Sequence, residues 1–515
     1  MSDLDAWLVA NPHAPDGLLQ AFDGYERALM TDDLAALDAL FDQSPDTLRG
    51  DPGGLLVGHA AIHDFRAARR GAPARTLVAV RVQRLADEAA CVVAVTAPAR
   101  GGHGLQTQVW RRQADGAWRI TAAQVAPPPV TFDPAVWRAV GDPLCGATGL
   151  DESAALRGES VAVKDLFAVA GFAIGAGVPQ WLAGAPLEAA DADAVARLRA
   201  AGATVTGIAR TDQFAYSLAG DNPHYGTPVN ARVPGGLPGG SSSGSATAVA
   251  LGAASIGLAT DTGGSVRVPA SYQGLWGWRS THGAVSAKGL LPLAPDFDTV
   301  GLLTSTPDLM ARAAATLLES PAVTAPGDHV IVDLLPEVEP AAAAAFDGWV
   351  ARALPRARRV RLPDLAQAAE AFRVHQAYQA WQQHGDWVAR HPNALLGAAR
   401  ERFTIAARVS PAQDAMAVAA LDRLRAEFDR VLGDATLVLP SAAGPAPKVW
   451  AAPSQVEQHR RATMALTCIA GITGRPAVSA PLLTLPDGPL GICLVGPRSS
   501  DPALIERATG LPTGA

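Results

Sequence analysis

Apolar positions recur at helical spacing along residues 15–41, and the pattern then changes to short runs typical of β-strands. The first part predicts amphipathic helix. The strand-like runs occupy residues 76–82, 90–95, 105–111 and 118–125. Helices followed by an antiparallel meander predict a small α+β domain over residues 1–126.

A proline-rich segment ends this pattern. Residues 126–134 include three consecutive prolines, which can continue neither a helix nor a central strand, so we predict a linker at 127–134. Beyond it helices and strands alternate. The pattern predicts helices at 191–201 and 245–254 and strands at 204–208, 256–260 and 436–439. This alternation predicts an α/β domain with a mixed central sheet over 135–515, in which the mostly helical residues 340–430 form an insertion or lid.

The composition is that of a globular enzyme, with 49% hydrophobic and 18% charged residues. The net charge of −7 and the lack of a basic block argue against a nucleic-acid partner. The apolar stretch 246–259 is too short to cross a bilayer, and the acidic start lacks the features of a signal peptide, so no membrane partner is expected. Four scattered cysteines without a CxxC pair fit a cytoplasmic location.

Two glycine- and serine-rich clusters, 239–248 and 260–271, flank a predicted helix and strand. Thr262–Ser265 follows that strand and precedes an apparent helix. Successive N–H groups of such a turn can converge on an anion, which is what an oxyanion hole for acyl transfer requires. Ser265 is therefore a candidate nucleophile, and it needs a base.

The use of lysine points to one base. The chain has only three lysines, Lys164, Lys288 and Lys448, and the other 39 of its 42 basic residues are arginine. Lysine differs from arginine in that it can lose its proton at accessible pH. Lys164 lies in the apolar, β-like run 160–167, where burial would lower its pKa towards neutrality.

Two other serine mechanisms fit the sequence less well. Residues 240–244 match GxSxG with Ser242 at the centre, but the loop 232–238 stands where a nucleophile elbow needs a hydrophobic strand. No serine is followed by a lysine three residues later, which excludes an SxxK arrangement. A distant lysine base remains the preferred interpretation.

The second part of the chain, from about residue 135 to 515, resembles the amidase signature family. The resemblance lies in VAVKDLFAVAGF (161–172), AYSLAGDNPHYGTPVN (215–230), GGSSSGSA (239–246), TDTGGSVRVPASYQGLWGWRSTHGAVS (260–286), PLAPDFDTVG (292–301), GRPAVSAPL (474–482) and PLGICLVGP (489–497). It is nearest to the indole-acetamide hydrolase and chloroplast-envelope branch. The resemblance implies the amidase signature fold and a Ser–cis-Ser–Lys triad formed by Ser265, Ser241 and Lys164.

The resemblance also implies supporting residues. The expected oxyanion donors are the backbone N–H groups of Thr262, Gly263, Gly264 and Ser265. The expected supporting and substrate-binding residues are Asp261, Arg267, Ser242, Tyr216 and Ser217, with Asp261 and Arg267 forming an ion pair. The chain departs from the family pattern at Gln213, where glutamate is usual, and at Ser280, where proline is usual. These departures put local substrate contacts in question, not the triad.

The first part of the chain resembles the AtzH-like, SnoaL-type cone fold at residues 24–41, 44–50, 57–69 and 106–112. The resemblance implies that Tyr25 and Arg49 point into the cone. Such cones are enzymes acting on urea-derived carboxylates, ligand-binding modules or dimerising modules. We expect the structural role, with a homodimer formed through the cone.

His59 and His63, four residues apart, are the main candidates for metal ligands. No third ligand stands at a suitable spacing, HExxH is absent, and no nucleotide-binding motif occurs, so we expect neither metal nor cofactor. The sequence thus predicts an amidase that hydrolyses a small carboxamide and releases ammonia or an amine. The alternatives are an ammonia-transferring amidotransferase A-type subunit and a non-catalytic, receptor-like homologue. The sequence does not identify the amide.

Overall fold

The structure is a computed structural model that describes residues 3–51, 54–68, 75–98, 104–126, 132–149, 151–319, 325–331 and 338–513. It divides into two compact units, Met1–Thr131 and Phe132–Ala515. The first five residues of the predicted linker, 127–131, lie outside the described residues.

The described residues of the N-terminal unit form four helices and six strands. The helices are α1 (Asp3–Ala10), α2 (Leu18–Met30), α3 (Leu34–Leu40) and α4 (His59–Ala68). The strands are β1 (Leu48–Asp51), β2 (Gly54–Val57), β3 (Arg75–Ala86), β4 (Ala89–Pro98), β5 (Gly104–Arg112) and β6 (Trp118–Ala126). The four predicted strands correspond to β3–β6, and the predicted helical region to α2 and α3.

The six strands form one sheet in the order β2-β1-β6-β5-β4-β3, in which only β1 and β6 pair in parallel. Residues 44–50, one of the stretches that resemble the cone fold, include the start of β1 at Leu48. Leu48–Gly50 pair with β6, a partner more than 70 positions away that local sequence does not reveal. One face of α2, including Phe22, shares a buried core with Trp110 and Ile120.

The described residues of the second unit contain eleven helices, eleven strands and a 3₁₀ turn at Gln213–Ala215. The strands are β7 (Trp137–Cys145), β8 (Ser160–Lys164), β9 (Thr204–Ala209), β10 (Ile256–Thr260), β11 (Trp276–Arg279), β12 (Val300–Thr304), β13 (His329–Ile331), β14 (Arg358–Arg359), β15 (Thr436–Pro440), β16 (Ala477–Leu485) and β17 (Gly488–Val495). The helices are α5 (Pro179–Gly184), α6 (Asp193–Ala200), α7 (Ser243–Ala250), α8 (Arg267–Gln273), α9 (Pro307–Leu317), α10 (Pro340–Ala353), α11 (Leu365–Arg390), α12 (Gly397–Ala406), α13 (Pro411–Leu432), α14 (Pro453–Thr473) and α15 (Asp501–Thr509).

All eleven strands belong to one sheet, in the order β14-β13-β15-β17-β16-β11-β12-β10-β8-β9-β7. Strand β8 lies between β10 and β9 and is parallel to both, whereas β12 pairs antiparallel with β10 and β11. The mixed sheet predicted from the alternating pattern is therefore confirmed. Every residue of β10, β12 and β15 is buried, as expected of strands covered on both faces.

The predicted helical segment 340–430 contains α10–α13, apart from the two-residue strand β14. Its helix starts follow from local sequence: Asp364 caps α11, and Ser410 with Gln413 forms a capping box on α13. In the part of the chain that the structure describes, no helix is both long enough and apolar enough to cross a membrane.

Candidate active site

The site begins where two neighbouring parallel strands end. Lys164 is the last residue of β8, and Thr260 is the last residue of β10. Because parallel strands present their carboxyl ends at the same edge, the two side chains meet, and Lys164 Nζ lies 2.8 Å from Thr260 Oγ1. The apolar run that places Lys164 at the end of a buried strand also removes its amine from water.

Two serines before α7 complete the surroundings of the amine. Lys164 Nζ lies 2.9 Å from Ser241 Oγ and 2.9 Å from Ser242 Oγ. The Gly240–Ser241 peptide bond is cis, as the resemblance implies. Gly240 is required by close packing, since a Cβ atom there would lie 2.4 Å from Asp212 Oδ2.

The environment of Lys164 favours the neutral amine. Its side chain is fully buried, and burial lowers the pKa of Lys164 to about 7. The negative charges of Asp212, Asp298 and Asp261 oppose this shift, in that order of strength. The amine therefore exchanges its proton in the neutral pH range, where general-base catalysis is most effective.

The turn between β10 and α8 carries the predicted nucleophile. Ser265 is buried, and its hydroxyl takes part in no hydrogen bond among the described residues. Ser265 follows Thr260 by five positions, so β10 links it to the lysine cluster, although no hydrogen bond joins it directly to Ser241. The structure thus brings Lys164 and Ser241 into contact and places Ser265 shortly after Thr260, which also contacts the lysine.

The backbone of this turn is fixed by side chains on both sides. Thr467 donates from Oγ1 to the Gly263 carbonyl at 2.6 Å, and Gly264 adopts a φ of 126°, which favours glycine. The Gly264 N–H donates to Asp261 Oδ1 at 2.8 Å, so this predicted oxyanion donor is already engaged. Within the described residues the N–H groups of Thr262, Gly263 and Ser265 donate to no protein acceptor, which leaves them available to a ligand.

The predicted ion pair between Asp261 and Arg267 is present and fully buried. Arg267 donates from Nε to Oδ2 at 3.0 Å and from Nη2 to Oδ1 at 2.8 Å. Arg279 adds a second guanidinium, with Nη1 3.1 Å from Oδ1. Burial opposes ionisation of the carboxyl, but the two arginines hold the pKa of Asp261 well below its usual value.

Asp212 is a buried acid near the lysine that the sequence analysis missed. It follows β9, the strand next to β8, and accepts a hydrogen bond from the Gly220 N–H at 3.1 Å. Burial, reinforced by the charge of Asp221, raises the pKa of Asp212 to about 6. Its position just after the end of a buried strand is the signal that could have identified it.

The other predicted residues of this unit border the site. Tyr216 is buried and packs edge-on against Phe403, with ring centroids 5.5 Å apart. Ser217 Oγ accepts the N–H of Ala219 at 3.1 Å and so stabilises its own turn. The two departures from the family pattern are structural in this chain. Ser280 donates to the Val300 carbonyl at 2.8 Å, and Gln213 binds the backbone of Leu396.

In the N-terminal unit, Tyr25 and Arg49 are both buried but do not bond to each other. The Tyr25 hydroxyl accepts from Arg66 Nη2 at 3.3 Å, whereas Arg49 pairs with Asp51 at 2.7 Å and stacks on Phe65. Both partners, Phe65 and Arg66, belong to α4. Helix α4 therefore contacts both predicted cone residues.

The two candidate metal-ligand histidines both contact one carboxylate. His63 Nδ1 lies 2.9 Å and His59 Nε2 3.2 Å from Asp38 Oδ1. Across the described ranges, no group of three or more His, Cys, Asp or Glu side chains is arranged to hold a metal ion.

The site is thus a buried lysine in contact with two serines, beside a glycine-rich turn that carries a third serine. The amidase family profile matches residues 136–320, and the AtzH-like profile matches residues 8–128. Amidase 1 of Arabidopsis thaliana is 32% identical over 398 residues, which cover 69% of this chain and 93% of that protein. The 2-amino-5-chloromuconic acid deaminase of Comamonas testosteroni is 32% identical over 383 residues, which cover 69% and 81%. A crystal structure of an amidase superposes with a TM-score of 0.62 at 30% identity and covers 71% of this chain and 90% of its own.

The chain belongs to the amidase signature family and carries an AtzH-like domain at its N-terminal end. It is an amide-hydrolysing enzyme with the amidase signature fold.

Proposed function

We propose that the enzyme cleaves the C–N bond of a small carboxamide through a Ser265–Ser241–Lys164 triad and an acyl-enzyme. The observation that carries the proposal is the contact of 2.9 Å between the buried Lys164 amine and Ser241 Oγ. A fully buried lysine without a bonded carboxylate has little structural value, because its ammonium form is costly there. As a neutral amine it is a base.

The three contacts of Lys164 suit a neutral amine, which has two N–H groups and one lone pair. The Ser242 hydroxyl lies 3.4 Å from the Thr260 carbonyl, to which it donates, so its oxygen is available to accept an N–H. Thr260 Oγ1 accepts the other N–H. The lone pair then faces Ser241, and the Ser241 hydroxyl donates its proton to it.

Catalysis follows as a proton relay. Ser265 Oγ attacks the amide carbon while its proton passes to Ser241 Oγ and the Ser241 proton passes to Lys164. The free N–H groups of Thr262, Gly263 and Ser265 stabilise the oxyanion. The lysine proton returns through Ser241 to the leaving nitrogen, and ammonia or an amine departs. Water then attacks the acyl-enzyme, releases the carboxylic acid and restores Ser265.

The test is the site of covalent labelling by a fluorophosphonate, which reacts with activated serines, followed by peptide mapping. We expect the label on Ser265 and its loss in Ser265→Ala, together with a fall of several orders of magnitude in ammonia release. The matched control is Ser286→Ala, which removes a partly buried hydroxyl bonded to Asp193 outside the site. A label on Ser242 instead, or turnover above about a tenth of wild type in Ser265→Ala, would refute the assignment.

A further inference from the structure

Three arginines from separate helices gather beside Tyr216. Arg402 of α12 donates from Nη1 to the Tyr216 carbonyl at 2.7 Å. Burial raises the pKa of the Tyr216 phenol, and the positive charges of Arg402, Arg373 of α11 and Arg460 of α14 all act against that rise. Arg402 and Arg460 also share one neighbour, since their Nη2 atoms lie 3.6 and 2.7 Å from the Glu457 carboxylate. We call the three arginines the arginine group.

Two of the helices that carry the arginine group, α11 and α14, pack on the glycine-rich turn. A Cβ atom on Gly263 would meet Met464 Sδ at 2.9 Å and the Phe372 ring at 3.3 Å. Phe372 immediately precedes Arg373, and Met464 lies one helical turn after Arg460. The helices that carry two of the arginines thus pack directly on the turn that holds Ser265.

Arg373 is paired with Glu370 through two hydrogen bonds, so the unbalanced positive charge of the group lies at Arg402 and Arg460. Glu457 binds Arg460 through two hydrogen bonds of 2.7 Å and also Arg461 at 3.0 Å, so Arg402 shares an acid that is already engaged. The pKa of Asp221, another acid near Arg402, is raised because burial disfavours its ionised form.

Arg402 is the least satisfied member. Its nearest carboxylate oxygen, on Glu457, lies 3.6 Å from Nη2, beyond hydrogen-bonding distance, and only 16% of its side chain is exposed. The hydrogen bond to the Tyr216 carbonyl uses one of its five N–H donors. A partly buried guanidinium with donors to spare is suited to a planar anion.

We propose that Arg402, supported by Arg373 and Arg460, binds a carboxylate of the substrate, so that the enzyme acts on amides that carry a separate carboxylate group. The proposal rests on the proposed function, because the amide must reach Ser265 while its carboxylate meets Arg402. Gln213 serves as a positioning residue. Its side-chain amide donates to the Leu396 carbonyl at 3.0 Å and accepts the Leu396 N–H at 2.8 Å, which fixes the start of α12.

The experiment measures binding without turnover. Monoamides of dicarboxylic acids, from malonamate to adipamate, are titrated by calorimetry into Ser265→Ala protein, alongside neutral amides of the same length. We expect at least one acid amide to bind at least about tenfold more tightly than its neutral counterpart. Arg402→Gln should abolish that preference, Arg402→Lys should restore part of it, and Arg390→Gln, an exposed change on α11, should retain it.

Two results would overturn the inference: no acid amide binds more tightly than its neutral counterpart, or the preference survives Arg402→Gln. Steady-state kinetics of the same panel with active enzyme separates this failure from that of the triad. If Ser265 is labelled and neutral amides are hydrolysed as efficiently as acid amides, the proposed carboxylate site is wrong, whereas the triad assignment stands. If acid amides bind but Ser265 is not the labelled residue, the triad assignment fails instead.

Discussion

Asp261 and Arg267 are joined by two charge-assisted hydrogen bonds in full burial, beneath the turn that presents Ser265. The same carboxylate accepts the Gly264 and Val266 N–H groups, at 2.8 and 3.2 Å. One ion pair therefore neutralises a buried guanidinium and also sets the backbone of the catalytic turn.

We predict that Asp261→Asn destabilises the protein by about 3–5 kcal/mol, because it leaves Arg267 and Arg279 buried without their counter-ion. The pKa of Asp261 is depressed in the folded state, so its stabilising contribution is fully present well above the ordinary value of 3.8 and declines as the pH falls from there towards the folded-state pKa. Urea unfolding at pH 7 and pH 3.5 should show a smaller stability difference between wild type and variant at the lower pH. A constant difference would contradict this.

We predict that Lys164→Arg is as damaging to kcat as Lys164→Ala, because arginine keeps the charge but does not release its proton. In wild type, burial places the pKa of Lys164 at about 7. Since the base must be neutral, kcat/KM should fall as the pH decreases through that value. An active Lys164→Arg enzyme would leave the lysine a structural cation.

The position of that acidic limb should depend on Asp212, whose negative charge raises the pKa of Lys164. Replacement by asparagine removes this charge and so lowers the lysine pKa. We predict that Asp212→Asn shifts the acidic limb of kcat/KM to lower pH, whatever its effect on the maximum. Asp308→Asn, an exposed change on α9, should leave the limb in place, and an unmoved limb in Asp212→Asn would show that the limb reports another group.

Gln213 occupies a position where the family resemblance implies glutamate, and here it both donates to and accepts from Leu396. A glutamate at this position could still accept the Leu396 N–H but could no longer donate to the Leu396 carbonyl. Its negative charge would also be repelled by that carbonyl oxygen. We predict that Gln213→Glu destabilises the protein by about 1–3 kcal/mol and raises KM more than it lowers kcat. Thermal unfolding and kinetics test this, and unchanged values would mean that the segment before α12 adapts.

The two units have separate hydrophobic cores, which predicts that each folds when the chain is cut within residues 127–129. The fragment 135–515 should keep its amidase turnover. We propose that the N-terminal unit forms a homodimer, so removing residues 1–128 should lower the mass measured by light scattering to less than half, because the dimer separates and each chain of 515 residues is also shortened. If Tyr25→Phe and Arg49→Ala block a later chemical step without changing ammonia release, the unit is a second active site instead.

The sequence predicts the residues whose signal is local. Lys164 is recognisable because a lysine in an apolar strand is rare in a chain that otherwise uses arginine, and Ser265 because it ends a glycine-rich turn. Thr260, Asp212 and Arg279 were missed because their roles depend on strand order. Arg402 was missed for a related reason, since its helix has no motif and only the folded chain brings it beside Tyr216.

The Lys164 amine, the proposed base, lies where β8 and β10 end, whereas Arg373 and Arg402 come from a helical segment within residues 365–432. The residues proposed to cleave the amide and those proposed to bind the substrate's carboxylate thus lie in different stretches of the sequence. Recombination that exchanges this segment between homologues would alter substrate choice and leave the proton relay unchanged. Such an exchange must preserve the two hydrogen bonds between Gln213 and Leu396, because they fix the start of α12.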